Sequence, residues 1–395
     1  MNKKEKIMIF GGGYAEIPLI KVAKDYGYYV ITTGNQPEGL GHALGDEFIF
    51  GDFSDKKLML DIAKEQRVSA VCSGCNDFAL ISTAYVAEEL RLKGHDSYEV
   101  SLILHHKDRY REFAQLNAIP TPKMMKCFND NEVEGIVEQL QFPVMVKPVD
   151  LTGGKGIYKC ETIEEVKKAF YRAITLTRMN YVIIEEFVMG SNHGFSALLQ
   201  DKKIRFFFVD NEQYYLNKYM VGGASTPTSV PYKSINQLIQ YCEIMAEKLQ
   251  LVDGILHIQF ILDQQGEPII IEVCRRAPGD LYIKLVELST NFNYSEAIVA
   301  CEANLPRKQY EFINPRDYLI RYCVMSEKEG VFKRIKYSSA VKPYIVEQMV
   351  WGKEGDLIEN KLTYKAGIVF LRCKTRQEQE ELLKDLDKKI YVEVL

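Results

Sequence analysis

The sequence predicts a multidomain α/β and α+β chain. A Rossmann-like parallel sheet at the N-terminus is followed by a region of antiparallel sheets and a small C-terminal subdomain. Three observations carry this. Over about the first hundred residues, strand-like apolar runs alternate with amphipathic helical ones. Beyond about residue 180, strand-like runs follow one another in pairs joined by short turns. The 395 residues, 47% hydrophobic and 26% charged, supply core for roughly two or three domains and carry no signature of disorder.

The elements follow in order. "KIMIFGG" (6–12) reads as a strand, Ile17 to Asp25 as a helix, and "YYVITTG" (28–34) and "EFIFGD" (47–52) as strands. "KKLMLDIAKEQ" (56–66) is helical, "SAVCSG" (69–74) a strand, and "FALISTAYVAEELRL" (78–92) a helix with apolar residues three and four apart. Such alternation implies βαβ units, whose ligand sites lie at the carboxyl ends of the strands. "HHKDRYREFAQLNAIPTP" (105–122) reads as a helix stopped by two prolines, a boundary signal. Strands are expected in "FPVMVKPVDLTGGKGI" (142–157) and "YVIIEEFVMG" (181–190), with a helix near 163–176 between them. "HGFSALLQ" and "KIRFFFVD" form an antiparallel pair, and a polar loop (217–231) and a helix (234–249) lead to "ILHIQFIL" (255–262) and "PIIIEVC" (268–274). The tail has further strands and a charged helix at 376–389. Domains are expected at 1–104, 105–180, 181–310 and 311–395.

A formal net charge of −4 predicts no nucleic acid or acidic membrane as partner. No run approaches the roughly 18 apolar residues of a membrane span, and the N-terminus lacks a signal-peptide pattern. Nine scattered cysteines suit a reducing compartment, so a cytoplasmic location is expected. Cys72 and Cys75 form a single C-x-x-C with no second pair to complete a zinc site.

"GGGYAE" (11–16) stands where a dinucleotide loop would, but Glu16 occupies the third glycine's place and would repel a pyrophosphate. A tight turn bordering a substrate pocket fits better than a nicotinamide site. In "SGCND" (73–77), Asn76 and Asp77 read either as a helix cap or as a cap that also meets substrate. Lys147, flanked by apolar residues in a strand and followed by "GGKG" (153–156), suits a polyphosphate, with a snorkelling lysine beside a hairpin as the plain alternative. In "IIIEVCRRAPGD" (269–280), Glu272 is a carboxylate inside the most apolar strand, unfavourable by several kcal/mol unless a cation meets it. Mg²⁺ takes oxygen ligands, often one or two carboxylates with phosphates completing the shell, and Glu272 with the Gln259 side-chain oxygen fits that requirement. His257 shares a strand face with Gln259.

In sequence order, a lysine opening a helix, a strand lysine before a Gly-rich loop, "IIEEF", "HIQF" and "IIIEV-x-R-R" together resemble the ATP-grasp superfamily. The likeness is to carboxylate–amine ligases and the synthetase halves of carbamoyl-phosphate synthase, over roughly residues 5–310. The resemblance implies that Lys107 and Lys147 bind ATP phosphates beneath a closing loop that includes Gly153, Gly154, Lys155 and Gly156. It implies that Glu185 meets the adenine amino group and that backbone at Glu186 and Val188 holds the ring edge. It places Glu272 as a bridge between Mg²⁺ or Mn²⁺ ions, Gln259 as a second metal ligand, and Arg276 on the substrate carboxylate or transferring phosphoryl group. Arg275 is a secondary candidate for that role. His257 would orient the metal shell or take the amine's proton, unless it is a packed strand histidine. Two residues depart from the family pattern: Cys274 stands where the family has asparagine, and Asn192 or His193 replaces a ribose-binding glutamate. The implied activity joins a small carboxylate, such as an amino acid, to an amine through an acyl phosphate, with a homodimer as the implied assembly. The alternatives are a carboxyphosphate- or carbamoyl-phosphate-forming enzyme and an ATP-binding protein without ligase activity.

Overall fold

The structure, a computed structural model, describes residues 4–151, 154–306, 308–310, 313–315 and 317–395. Its first unit is a parallel sheet of Lys6–Phe10, Tyr29–Gly34, Glu47–Phe50 and Ala70–Cys72, with the first strand between the second and the fourth and the third at the edge. Its central strand is buried on both faces, as a helix-covered parallel sheet requires. Ile7 and Ile9 pack with Leu19 and Ile20 of the helix Ile17–Asp25, while Met8 and Phe10 pack with Met59 and Ala63 of the helix Lys56–Gln66. The predicted Rossmann-like order and the antiparallel character of the remainder are both borne out.

A second, antiparallel sheet orders its strands Met124–Cys127, Val182–Glu186, Val144–Pro148 and Tyr158–Cys160. The helix Ile163–Ile174 covers it, placing Val166, Ala169, Phe170 and Ala173 in one core with Val144, Val146, Val182 and Ile184. The third sheet has eight strands, running Pro268–Cys274, Gly254–Asp263, Gly190–Gln200, Lys203–Gln213, Gly223–Thr226, Tyr318–Met325, Lys365–Cys373 and Ile345–Val350. A three-stranded sheet of Leu357–Ile358, Gly330–Tyr337 and Ile390–Val394 packs nearby.

Several expected boundaries move. Val182–Glu186 pairs with the second sheet, so that unit runs past residue 180. The eight-stranded sheet continues across residue 310, because Leu319, Cys323, Ile368 and Phe370 share one core with Ile7 and Ile9 of the parallel sheet. A strand, Gly223–Thr226, sits inside the expected polar loop, its four residues buried between two long strands. The helix expected from 105 begins at Lys107 and is preceded by a separate one, Tyr98–His105. The 376–389 helix divides into Arg376–Leu383 and Leu386–Lys389. Among the described residues no helix is long and apolar enough to cross a membrane.

Candidate active site

The sheets meet around a cleft of about 720 Å³. At one end stand Lys107 and Lys147. Lys107 opens the helix Lys107–Leu116 and its ammonium donates to the Leu151 carbonyl at 2.7 Å. Lys147 lies mid-strand opposite Ile183 and is ion-paired with Glu185, which also accepts from Arg111 Nε at 3.2 Å. Burial alone would raise the Glu185 pKa, but Lys147 and then Arg111 hold it well below the usual carboxylate range. Glu185 therefore borders the cleft as the counter-ion of Lys147 and Arg111. The Glu186 and Phe187 N–H groups donate to Lys123 and Pro143 carbonyls at 3.0 and 2.9 Å, while Val188 lines the cleft beyond them.

Of the glycine-rich loop, Gly153 lies outside the described residues. Gly154 has a φ of +72°, and a Cβ there would stand 2.4 Å from the Tyr219 carbonyl oxygen, so the loop rests against the opposite wall. Gly156 packs on Pro148, and Lys155 is exposed and does not line the cleft. Lys159 and Lys218 line it instead.

Glu272 and Gln259 face each other in register at the centre, and the Gln259 amide donates to Glu212 at 2.8 Å. Among the described residues no group of three or more His, Cys, Asp or Glu side chains is arranged to hold a metal by itself. A Glu–Gln–Glu set of oxygen donors completed by phosphates fits Mg²⁺, which keeps much of its shell in water and phosphate oxygens. Cys274 adds nothing to this set: burial pushes its thiol up to about 12, and a neutral thiol is a poor ligand for a hard cation. His257 pairs through Nδ1 with Ser196 Oγ at 2.7 Å. Burial, then Arg276, lowers its pKa to about 3, making it a poor proton acceptor and leaving an orienting role.

Arg276 reaches the cleft with its Nε donating to Asp77 Oδ1 at 2.7 Å. Asp77 begins the helix Asp77–Leu90, capped by the Asn76 side chain accepting from the Phe78 N–H at 2.9 Å. Both Asn76 and Asp77 line the cleft, so the cap borders the site. Two sequence-based candidates point elsewhere, and strand alternation is the reason. Arg275 turns away and is held by Asp96 and by the Ile255 and Val252 carbonyls. His193 is buried against Ser191 Oγ and the Asp210 carbonyl, whereas its neighbour Asn192 lines the cleft. In the glycine turn Glu16 folds back to accept from the Gly13 and Cys75 N–H groups at 2.9 and 3.0 Å. That loop carries its own anion.

Sequence reasoning missed the far end. Asp210, Glu212, Tyr282, Arg321 and Lys365 all line the cleft. A signal for the two acids was available. Asp210 and Glu212 continue the face set by Phe206 and Phe208, just as Glu272 continues an apolar run. Asp210 is 0% exposed, and its carboxyl is pushed up to about 7 by burial and then by Glu212, against Tyr282 and Arg321. A carboxyl whose folded pKa is raised loses stability as pH rises through that value. Asp210→Asn is accordingly expected to raise the melting temperature near neutral pH by roughly 2–4 °C, and to change it little below the ordinary carboxylate range. Differential scanning calorimetry at the two pH values measures this, and an equal shift at both contradicts the assignment.

The fold and the cleft can be set beside known proteins. Residues 107–279 match the family model described as an ATP-grasp domain. The chain is 20% identical over 292 residues to the C-terminal section of the carbamoyl phosphate synthase large chain of Methanopyrus kandleri, covering 69% of this chain and 54% of that protein. It thus spans about half the length of that relative. It is 27% identical over 300 residues to the phosphoribosylamine–glycine ligase of Pyrococcus furiosus, covering 68% and 65% of the two chains. The crystal structure of an L-amino acid ligase from Bacillus licheniformis superposes with a TM-score of 0.81 at 18% identity, covering all of both chains.

Proposed function

We propose that the chain is an ATP- and Mg²⁺-dependent ligase that activates a small carboxylate as an acyl phosphate and joins it to an amine. One observation supports this most. A single cleft gathers two lysines and a glycine flap, a pair of facing oxygen donors, and an arginine held by an aspartate, in the order the chemistry needs. Lys107 and Lys147 would take the ATP phosphates, and Glu272, Gln259 and Glu212 would hold the metal. When bound, Mg²⁺ supplies charge neutralisation at the terminal phosphates. Arg276, its guanidinium oriented by Asp77, would hold the substrate carboxylate for in-line attack on the γ-phosphorus, releasing ADP. Catalysis at that step is positioning and charge neutralisation. The glycine flap, whose Gly154 lies against Tyr219, would keep water from the acyl phosphate until an amine displaces phosphate.

Cytoplasmic placement is supported by the nine cysteines, all free thiols. A homodimer is the assembly we expect, checked by sedimentation. Gln259 also favours a second reading, a carboxyphosphate-forming activity, which predicts ATP turnover stimulated by bicarbonate alone. The test is ADP release over a panel of carboxylates with and without amines. Turnover should require both partners and Mg²⁺ and stop on chelation. Bicarbonate alone sufficing would move the assignment to the second reading, and ATP binding without any ADP release would leave a binding protein.

A further inference from the structure

The far end of the cleft holds two buried charged groups of opposite sign, each with an unpartnered atom. Asp210 is 0% exposed and Arg321 2%. Asp210 Oδ1 accepts from the Tyr282 hydroxyl, but Oδ2 has no hydrogen-bond partner among the described residues. Arg321 donates through Nη1 to the Asp280 carbonyl at 3.1 Å, while its Nε is likewise unpartnered. An unmet buried charged donor or acceptor is costly, and one that borders a cleft is open to being met by a ligand. The backbone is shaped around this acid. At Gly194, on the neighbouring strand, a Cβ would stand 2.4 Å from Asp210 Oδ1, so only glycine admits the carboxylate there. Glu212, two residues along the same face, accepts from the Tyr214 hydroxyl at 2.6 Å and from Gln259 at 2.8 Å, linking this corner to Glu272.

Neither Asp210 nor Arg321 is needed for ATP. Resting on the ligase reading, we infer that Asp210 and Arg321 form the subsite of the amine substrate and that this substrate is an α-amino acid. Its ammonium group is received by Asp210 Oδ2 beside Glu212, and its carboxylate by Arg321. Two orphaned atoms of opposite charge in one cleft match a zwitterion and match neither a simple amine nor a simple acid. Lys365 does not compete for the carboxylate, because it is committed to Asp280 at 2.6 and 2.7 Å.

The test is calorimetric binding of the common amino acids, one at a time, to the protein holding a non-hydrolysable ATP analogue and Mg²⁺. The best binder is then compared with its N-acetyl derivative. The inference predicts that at least one amino acid binds and that N-acetylation weakens it by about 30-fold or more. It also predicts that Asp210→Asn weakens the free amino acid to the same degree while leaving the analogue's affinity unchanged. Hydroxylamine, a neutral nucleophile, should still trap the acyl phosphate in Asp210→Asn. Equal binding of the acetylated compound, no binding by any amino acid, or an unaffected Asp210→Asn each overturns the inference. The N-acetyl comparison uses the unaltered protein and so survives a misfolded variant. Failure of the ligase reading shows separately, as hydroxylamine trapping no acyl group in the unaltered protein with any carboxylate.

Discussion

Replacing Glu272 with glutamine is expected to slow ADP formation by about 1,000-fold, with ATP affinity changed by no more than roughly 10-fold. Glu272 lies directly opposite Gln259 on the paired strands that floor the cleft. Glutamine keeps the size and strand pairing and removes only the charge. The neighbouring donors are Gln259, a neutral amide, and Glu212, whose carboxyl burial raises above the ordinary range. Cys274 remains a protonated thiol. Glu272 is then the carboxylate placed to meet a cation at the terminal phosphates, so its loss is expected to fall on the phosphoryl-transfer step. Steady-state ADP release alongside a thermal melt checks this. A variant that melts normally and turns over at the unaltered rate refutes the metal assignment.

Lys147→Met is expected to weaken ATP binding by about 100-fold and to destabilise the fold by about 3–5 kcal/mol, the range seen when one partner of a buried ion pair is removed. The pair Lys147–Glu185 is buried with Arg111 on the far side of the carboxylate. Two effects would be mixed in the single variant. Combining it with Glu185→Gln and Arg111→Met separates them, since the triple variant leaves no charge of this buried cluster uncompensated. Its melting temperature should recover most of the loss while ATP affinity stays weak. Recovery of both would make Lys147 purely structural. The linkage has a definite sign. Glu185 titrates below its ordinary value in the folded state, so its contribution is present above the ordinary carboxylate range and lost as pH falls through the lowered value. The unaltered protein should therefore resist moderate acid better than Lys147→Met.

Much of the part of the cleft around Lys147 and Glu272 was legible in the residues themselves. Lys147 and Glu272 each put a charge inside an apolar strand, a local inconsistency that marks a functional site. The parallel sheet was legible because alternation of strand and helix is a local signal. Residues whose meaning depends on strand facing were harder to read. Arg275 and Arg276 are adjacent, yet only Arg276 reaches the cleft, and Asn192 rather than His193 does so, because a step of one residue along an extended chain reverses the face. The committed state of Glu185 could not be read either, since Arg111 is brought to it across 74 positions. The far end of the cleft was least legible. Arg321 and Lys365 reach it from strands that join the eight-stranded sheet long after the recognisable motifs have ended. No local pattern announces that pairing.

The central claim is that this cleft forms an acyl phosphate, and oxygen tracing tests it most directly. A carboxylate substrate labelled in both oxygens is turned over with ATP, Mg²⁺ and an amine, and the phosphorus products are analysed by mass spectrometry. Attack of the carboxylate on the γ-phosphorus, followed by cleavage between acyl carbon and oxygen, leaves one labelled oxygen in inorganic phosphate, with ADP unlabelled. Label appearing in AMP, or amide formed with unlabelled phosphate, would contradict it.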